Sequence, residues 1–133
     1  MVLETSAILA ILQNEPERRK FNEAIEAAET RSLSTASFVE CSMIVESRYG
    51  ADGIRDLDLF IAKAQVSLVA VDEEQADLAR RAFRKYGKGR HPAGLNFGDC
   101  FSYALARALA EPLLFKGNDF SQTDIQTHPA STK

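Results

Sequence analysis

The chain has 133 residues, an apolar fraction of 45% and a formal net charge of −3. Such a composition is globular rather than disordered, and the charge excludes a generic nucleic-acid binder held by bulk positive charge. No apolar run reaches the length that spans a bilayer. Cys41 and Cys100 both fall in predicted helices, so they form neither a disulfide framework nor, without histidine spacing, a zinc site. With no charged-then-apolar leader, the reading is one cytoplasmic domain over residues 1–133, in a reducing compartment.

Val2-Leu3 reads as a short apolar strand that ends at Glu4. Thr5 and Ser6 lead into a short helix carrying Ile8, Leu9, Ile11 and Leu12. Asn14 is predicted to cap a second helix with Pro16 in its first turn, and Phe21, Ala24, Ile25 and Ala28 form its buried stripe. Ser32-Leu33-Ser34 is a second strand. Residues 35–49 follow as a helix with Phe38, Cys41 and Val45 on one face and Gly50 as its stop. A helix over 52–63 places Ile54, Leu57 and Ile61 at helical spacing. Residues 66–71 are β-branched and apolar and read as the clearest strand, after which Asp72 caps a helix to Tyr86.

Residues 87–94, with three glycines and Pro92, are loop. Asn96 then caps a helix. Phe97, Phe101, Leu105 and Ala108 recur at helical spacing and predict a buried face. Asp99 sits in the first turn, where free N–H groups and the helix dipole favour negative charge and keep it ionised at neutral pH. Leu113-Leu114-Phe115 is a buried strand, residues 116–123 are turn-rich, Ile125 begins a short edge strand, and the polar tail after Thr127 is expected to fray. Strands alternating with helices predict an α/β fold, a parallel sheet wrapped by helices, with ligands at the carboxyl ends of the strands.

Glu4 and Asp119 follow strands at that edge, and Glu40 and Asp99 reach it if their helices start there. Four converging acids repel one another unless cations sit between them. Carboxylates with waters suit Mg²⁺ or Mn²⁺, and such ions polarise a phosphodiester and activate a water for in-line attack. The chemistry indicated is metal-dependent phosphodiester hydrolysis. Each acid also has a purely structural reading. Glu4 is then a solvated strand end, Glu40 the far half of a capping box with Ser37, Asp99 a dipole partner, and Asp119 an ordinary turn residue in Gly117-Asn118-Asp119.

Glu4-Thr5-Ser6-Ala7, Ser37-Phe38-Val39-Glu40, Asn96-Phe97-Gly98-Asp99 and Leu114-Phe115-Lys116-Gly117-Asn118-Asp119-Phe120 resemble, in order and interval, the motifs of PIN-domain ribonucleases. The resemblance is greatest to the VapC toxins of VapBC toxin–antitoxin pairs. It covers nearly the whole chain, including the loop Tyr86-Gly87-Lys88-Gly89-Arg90-His91. It implies a PIN-like parallel sheet of about four to five strands flanked by helices. It also implies that Glu4, Glu40, Asp99 and Asp119 bind Mg²⁺ or Mn²⁺ in a groove that cuts RNA, often tRNA. Thr5 or Ser6 would support the first acid, and Asp124 matches a further acid near the pocket. The implied partners are a VapB-type antitoxin and a second copy in a homodimer, with DNA reached only through the antitoxin and no membrane. One position departs from the pattern: the family's first acid is normally Asp, and Glu4 carries the carboxylate on a longer stem, which predicts weakened activity.

The strongest local positive charge is Arg80, Arg81, Arg84, Lys85, Lys88 and Arg90. It serves either the helix dipole, with Asp77 pairing Arg81, or an RNA backbone, the latter most of all at Lys88 and Arg90 in the loop. Lys116 either holds a scissile phosphate or pairs with Asp119. His91 reads as a solvated loop residue, the cysteines as small core residues, and Phe97, Phe101, Phe115 and Phe120 as core before stacking platforms. The alternatives to an endoribonuclease toxin are a non-catalytic PIN-like module that binds RNA or an antitoxin, and a metal-dependent phosphatase of small phosphoesters. The phosphatase wants an aspartate nucleophile where Glu4 stands.

Overall fold

The computed structural model describes residues 1–132. Strand β1 (Val2–Leu3) is flanked by β2 (Ser32–Ser34) and β4 (Leu113–Leu114), and β3 (Ser67–Val69) lies beyond β2, so the parallel order is β3-β2-β1-β4. Six helices cover the sheet among the described residues: α1 (Thr5–Leu12), α2 (Arg18–Ala27), α3 (Thr35–Tyr49), α4 (Ala51–Lys63), α5 (Glu73–Tyr86) and α6 (Phe97–Leu109). None is long and apolar enough to cross a membrane.

Successive strand residues point to opposite faces, and the core divides accordingly. Val2 and Leu113 pack with Tyr86, Leu95, Tyr103 and Leu105 under α5 and α6. Leu3 and Leu114 pack with Ile8, Phe21, Leu33, Val45 and Leu57 under α1 to α4. Both faces are covered, which is why β1 and β4 hold no polar residue. Each fully buried leucine-sized side chain contributes about 1.5–3 kcal/mol, so these two-residue strands are held by what packs on them.

Several expectations change. Asn14 does not cap α2: it takes a left-handed turn (φ 54) after α1, a conformation asparagine tolerates. Pro16 then keeps the preceding residue out of helix, so α2 starts at Arg18 without a side-chain cap. β3 is shorter than predicted, with Ser67 and Leu68 exposed, because it is the sheet edge. Ile125 is buried but forms no strand; a single parallel bridge joins Leu113 to Thr127. As far as Thr132 the tail does not fray; Lys133 lies outside the described residues. His128 N–H donates to Leu113 O at 3.0 Å, Thr132 N–H to Phe115 O at 3.1 Å, and Phe115 N–H to Ser131 Oγ at 3.1 Å. These bonds satisfy the open edge of β4.

Candidate active site

The parallel pairing brings the exits of β1, β2 and β4 to one edge. Glu4 extends the ladder there, its N–H donating to Leu114 O at 3.0 Å. Its carboxylate caps α1, accepting from Ser6 N–H at 2.7 Å and from the Ser6 hydroxyl. That hydroxyl also accepts from Lys116 N–H at 2.9 Å, tying the exit of β4 to that of β1. Glu4 is 4% exposed. Burial pushes its pKa up to about 7; the Ser6 bonds oppose the rise, and the charges of Asp99 and Glu40 add to it. It is a buried acid, not a solvated strand end.

Glu40 lies on α3, whose start at the sheet edge is capped by Ser34 accepting from Ala36 N–H at 3.2 Å. The capping box with Ser37 is not made: Ser37 Oγ bonds Ser102 Oγ at 3.0 Å in the core. Glu40 Oε1 instead accepts from the Thr5 hydroxyl at 2.6 Å. Its carboxylate lies against Gly98, where an added Cβ would overlap it. Any larger residue at 98 would oblige the Glu40 carboxylate to move from its present position.

Asn96 and Asp99 form a reciprocal capping box: Asp99 N–H donates to Asn96 Oδ1 at 2.9 Å, and Asn96 N–H to Asp99 Oδ2 at 3.0 Å. The helix end nonetheless does not hold Asp99 low. Burial pushes its pKa up to about 6, with Asp119 and Glu40 adding, against the Asn96 backbone bond. Asp119 is exposed at the start of a 3₁₀ turn (Phe120–Gln122), anchored beneath by Phe120 packing on Phe115 at 5.3 Å.

The acids thus share one electrostatic environment. Each of Glu4, Glu40 and Asp99 is also held by its own local partner, Ser6, Thr5 or Asn96. No three His, Cys, Asp or Glu side chains among the described residues stand together as a ready-made chelate. The residue types fit a hard divalent ion: the donors are all oxygen, and Glu4 and Asp99, raised chiefly by burial and further by neighbouring acids, are groups whose charged forms a cation would favour.

The supporting residues divide. Thr5 and Ser6 stand within the cluster. Lys116 does not pair with Asp119; its ammonium is held by Glu15 and by Glu17 at 3.2 Å, because the side chain leaves β4 toward the α1–α2 turn. Asp124 accepts from the Tyr103 hydroxyl and from Arg107 Nη1 at 3.1 Å. Burial works against it, yet these partners hold its carboxyl below the usual range. Lys88 and Arg90 are exposed, and the Arg90 guanidinium lies over the Phe83 ring at 5.2 Å. Arg81 pairs with Asp77 at 2.8 Å as its spacing predicts. His91 is half-buried rather than solvated: it packs edge-on against Tyr86, and its Nδ1 accepts from Ala93 N–H at 3.0 Å. Both cysteines are buried, which pushes the thiol of Cys41 up to about 12 and that of Cys100 up to about 11.

Two features escaped the sequence reading. One is the contact of Gly98 with Glu40, for which the Asn-Phe-Gly-Asp string was the available signal. The other is Phe97, expected in the core but 79% exposed. It is the first residue of α6, where no preceding helical turn covers it.

The PIN domain family model matches residues 1–126. Ribonuclease VapC30 of Mycobacterium tuberculosis is 55% identical over 127 residues, 96% of this chain and 97% of that protein. Ribonuclease VapC of Mycolicibacterium smegmatis is 54% identical over 125 residues, 94% and 97% of the two chains. The crystal structure of Mycobacterium tuberculosis VapC20, a Sarcin-Ricin loop cleaving toxin, shares the fold with a TM-score of 0.75 and 14% identity over 93% of this chain and 95% of that one. VapBC2 from Rickettsia felis, bound to a DNA fragment from its promoter, does so with a TM-score of 0.72 and 13% identity, covering 96% of each chain. Fold and sequence agree, and the chain belongs to the PIN-domain family, among the VapC ribonucleases.

Proposed function

We propose that this chain is a divalent-metal-dependent endoribonuclease that acts as the toxin of a VapB-type antitoxin. The observation that carries the reading is that Glu4, Glu40, Asp99 and Asp119, acids distant in sequence, lie near enough for their charges to bear on Glu4 and Asp99, with no side-chain cation paired to them among the described residues. Glu4, Glu40, Asp99 and Asp119 would hold Mg²⁺ or Mn²⁺. Bound there, the ion supplies Lewis acidity to a phosphodiester and lowers the pKa of an attacking water.

The chain's own residues prepare that position. Ser6 fixes the Glu4 carboxylate, Thr5 fixes that of Glu40, and Asn96 fixes the first turn of α6 around Asp99. Burial of Glu4 keeps bulk water from screening that carboxylate. Lys88 and Arg90 are free to meet RNA phosphates. Incubating total RNA and purified tRNA with Mn²⁺, with Mg²⁺ and with EDTA tests the reading. Discrete fragments in metal alone support it, and intact RNA under every condition overturns it. A chromogenic phosphomonoester tests the phosphatase alternative.

A second reading, a non-catalytic module that binds RNA or an antitoxin, is favoured by Glu4 in the first acidic position and by carboxylates that stand apart as they are. RNA binding without cleavage in either metal would select it.

For partners, a VapB-type antitoxin is supported by the VapBC assemblies among the structural neighbours. DNA contact would then come through that antitoxin. The homodimer rests on the α1 and α4 faces, in modified form. Ile8 and Leu57 are spent on the core, while Leu12, Leu59 and Phe60 border a groove of about 610 Å³ between α1, α2 and α4. Sedimentation at tens of micromolar, alone and with the antitoxin, tests both assemblies.

A further inference from the structure

The first turn of α6 carries an aromatic wall that the chemistry of the acids does not use. Phe97 stands in solvent with its ring edge-on to Phe101 at 4.8 Å. With Phe83 of α5 it encloses a groove of about 470 Å³ floored by Ala76 and Ala79. Phe83 and Arg80 also line a neighbouring groove of about 430 Å³ with Arg84, Arg90 and the Arg81–Asp77 pair, which leaves it basic in balance. The aromatic groove therefore opens into a basic one, with Arg90 stacked on Phe83 at their junction. On its other side Phe97 shares the capped turn of α6 with Asp99.

We propose that the Phe97–Phe83 groove is a subsite for an unstacked base of the RNA substrate, with Arg80 and Arg90 meeting a neighbouring phosphate. The inference rests on the ribonuclease reading and names where its substrate is gripped. Exposed aromatic faces beside arginines suit a single-stranded nucleic acid, because every base offers a π-face and every linkage an anion. Arginine adds directed hydrogen bonds to phosphate oxygens. A second copy of the chain fits this face less well. A two-fold contact over this face would bury Arg80, Arg81, Arg84 and Arg90 of both copies with only Asp77 of the groove lining to offset them.

The test compares the full-length protein with Phe97→Ala and Phe97→Tyr. Binding of a fluorescent single-stranded RNA is read by anisotropy in EDTA. Cleavage in Mn²⁺ is read on the same RNA and on bis(p-nitrophenyl) phosphate, a diester with no base. Loss of one stacked base is expected to weaken RNA binding by about tenfold and raise KM for RNA to match. Phe97→Tyr should retain the wild-type values, and the loss on the small diester should be several-fold smaller than the loss on RNA. Equal losses on both substrates, unchanged RNA affinity, or a wild-type protein that binds no RNA would each overturn the subsite. So would a dimer that becomes a monomer on Phe97→Ala, which assigns the face to a second copy. If the wild type binds RNA but cleaves neither substrate, the catalytic reading fails and the anisotropy series alone decides the subsite.

Discussion

Glu15 and Glu17 flank the Lys116 ammonium, and Asp124 accepts from Tyr103 and Arg107, whereas Glu4, Glu40 and Asp99 are each held by a hydroxyl or backbone N–H of a local partner, Ser6, Thr5 or Asn96. The two kinds of acid respond in opposite directions. Glu17 is held below its ordinary range by its own backbone N–H and by Lys116, although burial opposes this, and Asp124 likewise by Tyr103 and Arg107. Glu4 and Asp99 are pushed up. An acid paired with a cation is explained by the fold. Several acids gathered without one among the described residues keep an unfavourable interaction that a proton or a bound cation relieves, and such perturbed groups gather at functional sites.

Removing a cluster acid should break the comparison hardest. Asp99→Asn is expected to lower RNA cleavage by more than the roughly hundredfold that loss of a supporting partner causes. Residual cleavage near wild type in single-turnover assays would count against the site. Glu4→Asp is expected to raise cleavage by up to about a hundredfold, since about 1 Å of misplacement costs on that order. The gain should be larger in Mg²⁺, which tolerates distorted coordination less than Mn²⁺. Equal or slower cutting would mean that Ser6, which grips the Glu4 carboxylate, has already fitted the turn to glutamate. Gly98→Ala should displace the Glu40 carboxylate and slow cleavage by about tenfold or more. Unaltered rates would show that the Glu40 side chain moves aside without cost.

The metal-free protein should also respond to pH. Glu4 and Asp99 bind protons more tightly folded, at about 7 and about 6, than unfolded, at 4.5 and 3.8. Folding therefore takes up protons between pH about 4 and 7, and stability is fully present below that window and lost as pH rises through it, by a few kcal/mol in all. Thermal melts in EDTA should show Tm falling from pH 5 to 7.5. Mn²⁺ should restore it at pH 7.5, because a ligand bound only by the native state stabilises it. Asp99→Asn should lose most of that rise, and an equal rise in the variant would put the metal elsewhere. Asp124→Ala should have the smallest effect: its ion pair with Arg107 is largely exposed, and about 1 kcal/mol or less is expected in denaturant titration. Cleavage should stay within about threefold of wild type, and a greater loss would return Asp124 to the site.

Local pattern alone determined much of this protein. The caps at Asp72 and Asn96, the stop at Gly50 and the buried stripes of α2 and α4 around Phe21, Ile25 and Leu57 depend on neighbours within a turn or two, and the structure keeps them. The strand pattern placed Glu4 at the exit of β1, whereas Glu40 and Asp99 depended on where α3 and α6 start. What the tertiary structure decided involves partners far apart in sequence. Lys116 turned to Glu15 and Glu17, the tail closed the open edge of β4, and Glu40 came to rest on Gly98. Phe97 stayed in solvent because helical spacing fixes a side chain's direction and not what, if anything, lies there to cover it. The proton affinity of Asp99 was decided there too. A helix end favours its charged form, but burial and two other acids disfavour it more, and neither is visible until the chain has folded.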